Sequence, residues 1–224
     1  MSQNLALFDL DGTLLAFDSD HAFNEFMVRL GWADAETFRV GNERHYADYL
    51  NGVLDIDAYV DFATAPWRGR TAAEQAAASA QFVDEVVRPA LHPVALGLVK
   101  RHQDAGDLVA IVTATNHFVT RPIANLFGVP ELVATELARD AAGSVTGAVC
   151  GVPSFRAGKV SRVDRWLAAQ GRSFAEFERT LFYSDSTNDL PLLERVSEPV
   201  ATNPTPALER IARDRGWPIL KLFE

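Results

Sequence analysis

The chain has 224 residues, 48% hydrophobic and 23% charged, the make-up of an ordinary globular protein with room for one large or two modest domains. Lysine and arginine number 21 against 30 acidic residues, and the formal charge of −9 argues against nucleic acid or anionic membrane as a partner. The single cysteine, Cys150, excludes an intrachain disulfide, fits a reducing compartment and reads as a small buried apolar residue.

The chain opens on an apolar run, Leu5-Ala6-Leu7-Phe8, that ends in Asp9-Leu10-Asp11-Gly12-Thr13. Period two puts both aspartates on one face if the strand continues, and Asp-Gly then breaks it. Asp-Gly alone suggests a hairpin, but Ala16 to Asp20 supplies no alternating partner strand. The N-terminus lacks a basic region, and Asp9 and Asp11 interrupt its apolar run, so neither a signal peptide nor a bilayer span is expected and the chain is placed in the cytoplasm.

From Asp18 to Pro89 the sequence reads as helical. Helices are expected over His21–Leu30, Phe38–Leu50, Ile56–Thr64 and Thr71–Val87, with Pro66 and Gly69 separating the last two. Asp18, Ser19 or Asp20 could cap the first helix, and Thr71 with Glu74 reads as a capping box. Trp67 and the five histidines form no convergent motif and are assigned to core or surface.

After Pro93, helix and strand alternate. A helix over Pro93–Asp104 leads to the apolar run Leu108–Val112, as expected of a central parallel strand. That run ends in Thr113-Ala114-Thr115-Asn116, before a helix over His117–Phe127. Leu132–Arg139 and Val145–Gly151 are expected to pair as a hairpin around Ala142-Gly143. A helix over Gly158–Gln170, a strand over Thr180–Tyr183 and a helix over Thr187–Arg195 follow. A strand over Pro199–Thr202, a helix over Thr205–Arg215 and a strand over Trp217–Leu220 close the chain. The alternation predicts an α/β fold, a doubly wound parallel sheet with helices on both faces and ligands beyond the carboxyl ends of its strands.

Three polar groups lie at those strand ends. Thr113 could hold an anion at a helix N-terminus, or Thr113 or Thr115 could simply cap that helix. Asp185, in Ser184-Asp185-Ser186-Thr187-Asn188-Asp189, suits a hard cation such as Mg²⁺, although Asp185 or Ser186 could equally be a cap. Lys159 sits in a first helical turn, the wrong end for a cation unless it faces phosphate and carboxylates. Gly151 to Val160 is too widely spaced for a phosphate-binding P-loop, and Val160 stands where Ser or Thr is required.

Together, Asp-Leu-Asp-Gly-Thr at 9–13, Thr113, Lys159 and Asp185-x-x-x-Asp189 resemble the four ordered motifs of the haloacid dehalogenase superfamily. The run from Tyr183 to Asp189 is most similar to its phosphoserine-phosphatase-like branch, and the helical insertion resembles that superfamily's C1 cap. The resemblance implies a Rossmann-like core over 1–16 and 90–224 and a cap over 17–89. It also implies a Mg²⁺-dependent phosphatase acting on a small phosphomonoester. Asp9 would attack phosphorus and form an aspartyl-phosphate, and Asp11 would act as general acid, then base. Mg²⁺ would be held by Asp9, the Asp11 carbonyl and Asp185, with Asn188 and Asp189 in support. Thr113 would bind phosphoryl oxygen, and Lys159 would bridge phosphate and nucleophile.

Asp18 occupies the place where phosphoserine phosphatases carry an acid facing the substrate amine. Their substrate-carboxylate arginine is missing near Asp61-Phe62-Ala63, with Arg68 and Arg70 offset. That disfavours phosphoserine and leaves an amine-bearing ester such as histidinol phosphate, with Asp18 or Asp20 as counter-charge. Phosphomutase or phosphotransferase chemistry, and a non-catalytic binding protein on the same fold, are the alternatives. Oligomeric state is not legible.

Overall fold

A computed structural model describes residues 3–50 and 53–223. The expected core (1–16 and 90–224) and cap (17–89) segments therefore include five positions, 1, 2, 51, 52 and 224, that lie outside the described residues.

Strand β1 (Leu5–Phe8) is followed by helices α1 (Ser19–Arg29), α2 (Ala35–Leu50), α3 (Ile56–Arg68) and α4 (Ala72–Phe82). A π-helical turn (Val83–Val87) and the short α5 (Arg88–Ala90) then lead to α6 (Pro93–Asp104). Next come β2 (Leu108–Asn116), α7 (His117–Leu126), β3 (Glu131–Thr135), β4 (Leu137–Arg139), β5 (Val145–Val149) and α8 (Ala157–Ala169). The chain ends with β6 (Thr180–Ser184), α9 (Leu190–Leu193), β7 (Glu198–Thr202), α10 (Pro206–Arg215) and β8 (Ile219–Leu220).

Six strands form one sheet in the order β3-β2-β1-β6-β7-β8, and every pairing within it is parallel. Consecutive β1 residues serve opposite faces: Ala6 and Phe8 join one apolar core, Leu5 and Leu7 the other. Both faces are thus buried, which is why these strands read as unbroken apolar runs. Strand β1 lies between β2 and β6, so their carboxyl ends converge.

Among the described residues no strand interrupts the helical segment between β1 and α6. Asp18 caps α1 by accepting from His21 N, and Thr71 and Glu74 form the expected capping box on α4. Helix α2 starts earlier than expected because Asp34 accepts from Thr37 N at 2.8 Å. Helix α3 runs through Pro66 instead of ending at Thr64, as Trp67 anchors its last turn in the core, stacked on Phe118 of α7 at 4.4 Å. Arg68 is tied to the Thr146 carbonyl of β5 at 2.8 Å.

Four further expectations are corrected. The run Leu132–Arg139 is not one hairpin arm: β3 joins the main sheet, and only β4 pairs with β5. Strand β2 continues past Val112 to Asn116, with a register shift between these residues that re-aims Thr113 to Thr115. Cys150 is exposed, not buried, because it follows the last residue of an edge hairpin. Helix α9 is shorter than expected, since a 3₁₀ turn (Thr187–Asp189) precedes it. Among the described residues no helix is long and apolar enough to cross a membrane.

Candidate active site

Asp9, Asp11, Thr113, Lys159 and Asp189 converge on one cavity of about 100 Å³ at the carboxyl ends of the strands, beneath α1, α2 and α3. Asp9 leaves β1 with its N–H still paired to the Tyr183 carbonyl, which fixes its backbone. Its Oδ1 accepts from Lys159 Nζ at 2.8 Å and its Oδ2 from the Thr13 hydroxyl at 3.1 Å. Lys159 is 3% exposed and also donates to Asp189 Oδ2 at 2.7 Å, which Ser184 Oγ reaches at the same distance. Burial alone would favour the neutral amine, but Asp189 and Asp9 outweigh it and hold the lysine protonated. The Lys159 charge works in the opposite sense on Asp9, whose pKa burial raises to about 6 with a further push from Asp189.

Asp11 is held differently. Ser19 N donates to its Oδ1 and Thr115 Oγ1 to its Oδ2, both at 2.8 Å. Burial first, and the Asp18 charge second, push its pKa well above the usual carboxylate range. An amide N–H can only donate, whereas the Thr115 hydroxyl can turn to accept, so Oδ2 is the oxygen better placed to carry the proton of neutral Asp11.

Asp185 stands beside Gly12: a Cβ on Gly12 would lie 2.5 Å from Asp185 Oδ2, and Gly12 adopts φ +75. Glycine is therefore required there both by the backbone and by the carboxylate. The Thr13 hydroxyl, bonded to Asp9, lies 3.5 Å from Asp185 Oδ1, so one side chain spans the two acids. Burial, then Asp9 and Asp189, raise the Asp185 pKa to about 8. The loop is clamped by Asn203, which donates to the Gly12 and Thr13 carbonyls at 3.1 and 3.0 Å.

The donor set fits a hard divalent cation. Asp9 and Asp185 are oxygen donors whose negative charges repel, with Lys159 offsetting part of that charge. Among the described residues no three acidic, histidine or cysteine side chains form a cation cage.

Thr113 is buried and its hydroxyl accepts from Thr115 N at 3.2 Å, leaving its own O–H to donate into the cavity. Helix α7 is capped by Asn116, so neither Thr113 nor Thr115 is its cap. Asn188 accepts from Arg156 Nε at 3.1 Å, and Arg156 adopts φ +51, unusual for a residue other than glycine. Ser186, not Asp185, caps the 3₁₀ turn, and Tyr49 of α2 donates to its hydroxyl at 3.1 Å.

Asp18 caps α1 and also lines the cavity. Asp20, expected as a substrate counter-charge, does not line it: Asp20 is buried behind the cavity wall, bonded to Tyr59 and Asn116. Arg68 and Arg70 are also absent from the cavity, for Arg68 pairs with Asp61 and Arg70 lies over the Trp32 ring.

The sequence reading missed the roof. His21, His45, Tyr49 and Tyr59 face the cavity, so two of the histidines assigned to core or surface belong to the site. Burial, and then Arg44, lower the His45 pKa and favour the neutral ring. A signal was present: Asn42, His45, Tyr46 and Tyr49 recur at helical spacing on one face of α2, and all four reach the cavity.

The sequence profile of haloacid dehalogenase-like hydrolases matches residues 6–194. A histidinol-phosphatase from Neisseria meningitidis serogroup C (strain 8013) is 43% identical over 218 residues, covering 97% of this chain and 98% of the relative. The crystal structure of a protein of unknown function from Bordetella pertussis Tohama I superposes with a TM-score of 0.94 at 45% identity over the full length of both chains. A substrate-bound phosphoserine phosphatase shares the fold, with a TM-score of 0.67 at 16% identity over 98% of this chain and 93% of that one.

Proposed function

From the premise that this chain belongs to the haloacid dehalogenase-like hydrolases, we propose that it is a Mg²⁺-dependent phosphatase that hydrolyses a small amine-bearing phosphomonoester through an aspartyl-phosphate. One observation carries the reading: Asp9 and Asp11 face one cavity in opposite electrostatic settings, Asp9 paired with Lys159 and Asp11 paired with no cation. Such a difference assigns one acid to nucleophilic attack and the other to proton transfer.

Asp9, kept ionised by Lys159, attacks phosphorus while the ester oxygen departs with the proton from Asp11 Oδ2. Asp11, now ionised, takes a proton from water, which attacks the phospho-Asp9 and releases inorganic phosphate. Both acids share one cavity and titrate as a unit. The Thr113 hydroxyl and the Lys159 ammonium hold phosphoryl oxygens. Asp9, Asp185 and the Asp11 carbonyl are the residues that would hold Mg²⁺, which supplies positive charge against the phosphoryl group. Asn188 and Asp189 brace that corner.

Residues 17–89 serve as the cap that selects the leaving group. The cavity lining contains four aspartates, Lys159 as its single lysine, and no arginine. That balance disfavours a substrate carboxylate and favours an ammonium seated at Asp18. Its volume of about 100 Å³ keeps the leaving group small. The histidinol-phosphatase relative is consistent with a phosphorylated amino alcohol of that size. The lone exposed thiol of Cys150 fits work in the cytoplasm.

The test is phosphate release from histidinol phosphate by the purified protein with Mg²⁺, beside an Asp9→Asn variant. Activity confined to the unaltered chain is expected, and equal turnover by both would refute the mechanism. Asp18→Asn should raise KM for the amine-bearing ester and leave an uncharged alkyl phosphate unaffected.

A further inference from the structure

Behind the acid–base carboxylate the chain is stitched twice. The first stitch holds Asp11 itself, through Ser19 N on one oxygen and the Thr115 hydroxyl on the other. The second lies one residue further along both segments. Asp20 follows Ser19, Asn116 follows Thr115, and Asn116 Nδ2 approaches Asp20 Oδ1 at 3.4 Å. Asn116 cannot turn away, because its Oδ1 accepts from Val119 N at 3.2 Å and caps α7. The Tyr59 hydroxyl of α3 also bonds to Asp20. One side chain therefore gathers the start of α1, the first turn of α3 and the end of β2.

Asp20 is 4% exposed, and among the described residues no ion pair reaches it. A buried carboxylate without a cation costs stability. It does not line the cavity, so substrate binding does not account for it. What it supplies is position.

We propose that Asp20 is a positioning residue for Asp11, pinning α1 to β2 so that the Ser19 N–H and the Thr115 hydroxyl stay on the two oxygens of the general acid. This rests on the phosphatase reading above. Without the stitch those donors are free to drift, and the proton on Asp11 Oδ2 loses its line to the leaving oxygen. A misplacement near 1 Å costs on the order of a hundredfold. The loss falls on leaving groups that need a proton and spares those that depart as stable anions.

The experiment compares kcat/KM, which reports phospho-enzyme formation, for an alkyl phosphate and for p-nitrophenyl phosphate. It uses the unaltered chain, Asp20→Ala, Asp20→Asn and Asn116→Asp. The last keeps the α7 cap acceptor but sets a second acid against Asp20, and it stands in should Asp20→Ala fail to fold. Expected is a loss of about a hundredfold on the alkyl ester and about threefold or less on the aryl ester for Asp20→Ala and Asn116→Asp. Asp20→Asn, which keeps a polar stitch, should recover most of the alkyl activity. Equal losses on both esters, no loss on either, or no recovery by Asp20→Asn would overturn the assignment. An unaltered chain that releases phosphate from neither ester would instead overturn the phosphatase reading.

Discussion

Replacing Asp20 by Asn should make the protein more stable, and increasingly so as pH rises. The Asp20 carboxyl is buried, and burial first, then the Asp18 charge on its own helix, raise its pKa from 3.8 to about 7 against the opposing Tyr59 hydrogen bond. Asn116, from β2, faces it as an uncharged donor. The folded state therefore binds this proton more tightly than the unfolded chain. Its stabilising share is fully present below 3.8 and is lost as pH climbs through about 7. About three units at 1.36 kcal/mol each give a cost of about 4 kcal/mol at about pH 8, against about 2 kcal/mol at about pH 5. Asn carries no charge and can satisfy both neighbours, its oxygen accepting from Asn116 and its amide donating to the Tyr59 oxygen. Any change in hydrogen-bond quality is the same at both pH values and cancels between them. Urea unfolding of both chains with a chelator present, at about pH 5 and about pH 8, should show the advantage of Asp20→Asn growing by about 2–3 kcal/mol. An advantage that does not change with pH would refute the argument.

Lys159→Met should be destabilised by about 3–5 kcal/mol in urea unfolding, since it leaves Asp9 and Asp189 buried without their cation. It should also release no phosphate. Gly12→Ala meets Asp185 and a left-handed backbone at once, so Mg²⁺ should cease to raise its melting temperature while its far-ultraviolet circular dichroism stays native. Trp67→Ala opens a cavity where α3 packs on Phe118 and should cost about 3–5 kcal/mol in the same unfolding assay.

What could be read in the sequence was whatever two-sided burial writes into it. Strands β1, β2 and β6 are covered on both faces, so each is an apolar run, and a polar residue of the candidate site follows each run: Asp9 and Thr113 line the cavity, and Asp185 lies beside Asp9 across the Thr13 hydroxyl. Asp9, Thr113 and Asp185 were legible for that reason. Thr115 was not, because the register shift in β2 that turns its hydroxyl to Asp11 has no signature in residue type. The Leu132–Arg139 run failed similarly: its composition is the same whether it pairs with β2 or with β5. Pro66 misled as a helix breaker because α3 depends less on its own hydrogen bonds than on Trp67. The stripe on α2 was overlooked because a helix face turned to a polar cavity looks like one turned to water. Only the position of the sheet beneath it tells them apart.

The short stretch from Asp9 to Asp20 links chemistry to the movement of the cap. It holds Asp9 and Asp11, the proposed nucleophile and acid, the glycine beside Asp185, the crossing into the helical segment and the Asp20 stitch. Ser19, which donates to Asp11, opens α1, and α1 shares Asp20 with α3. Any outward swing of these helices must pull on the amide that orients the general acid. Tyr49 on α2 adds a second link, bonding Ser186 beside Asp185. On the proposed function, closure of these helices over a substrate and alignment of the Asp11 proton form one motion, not two. A leaving group too large for the cap to close should suffer in kcat more than in KM, because its phosphate would still find Lys159 and Thr113 on the rigid floor.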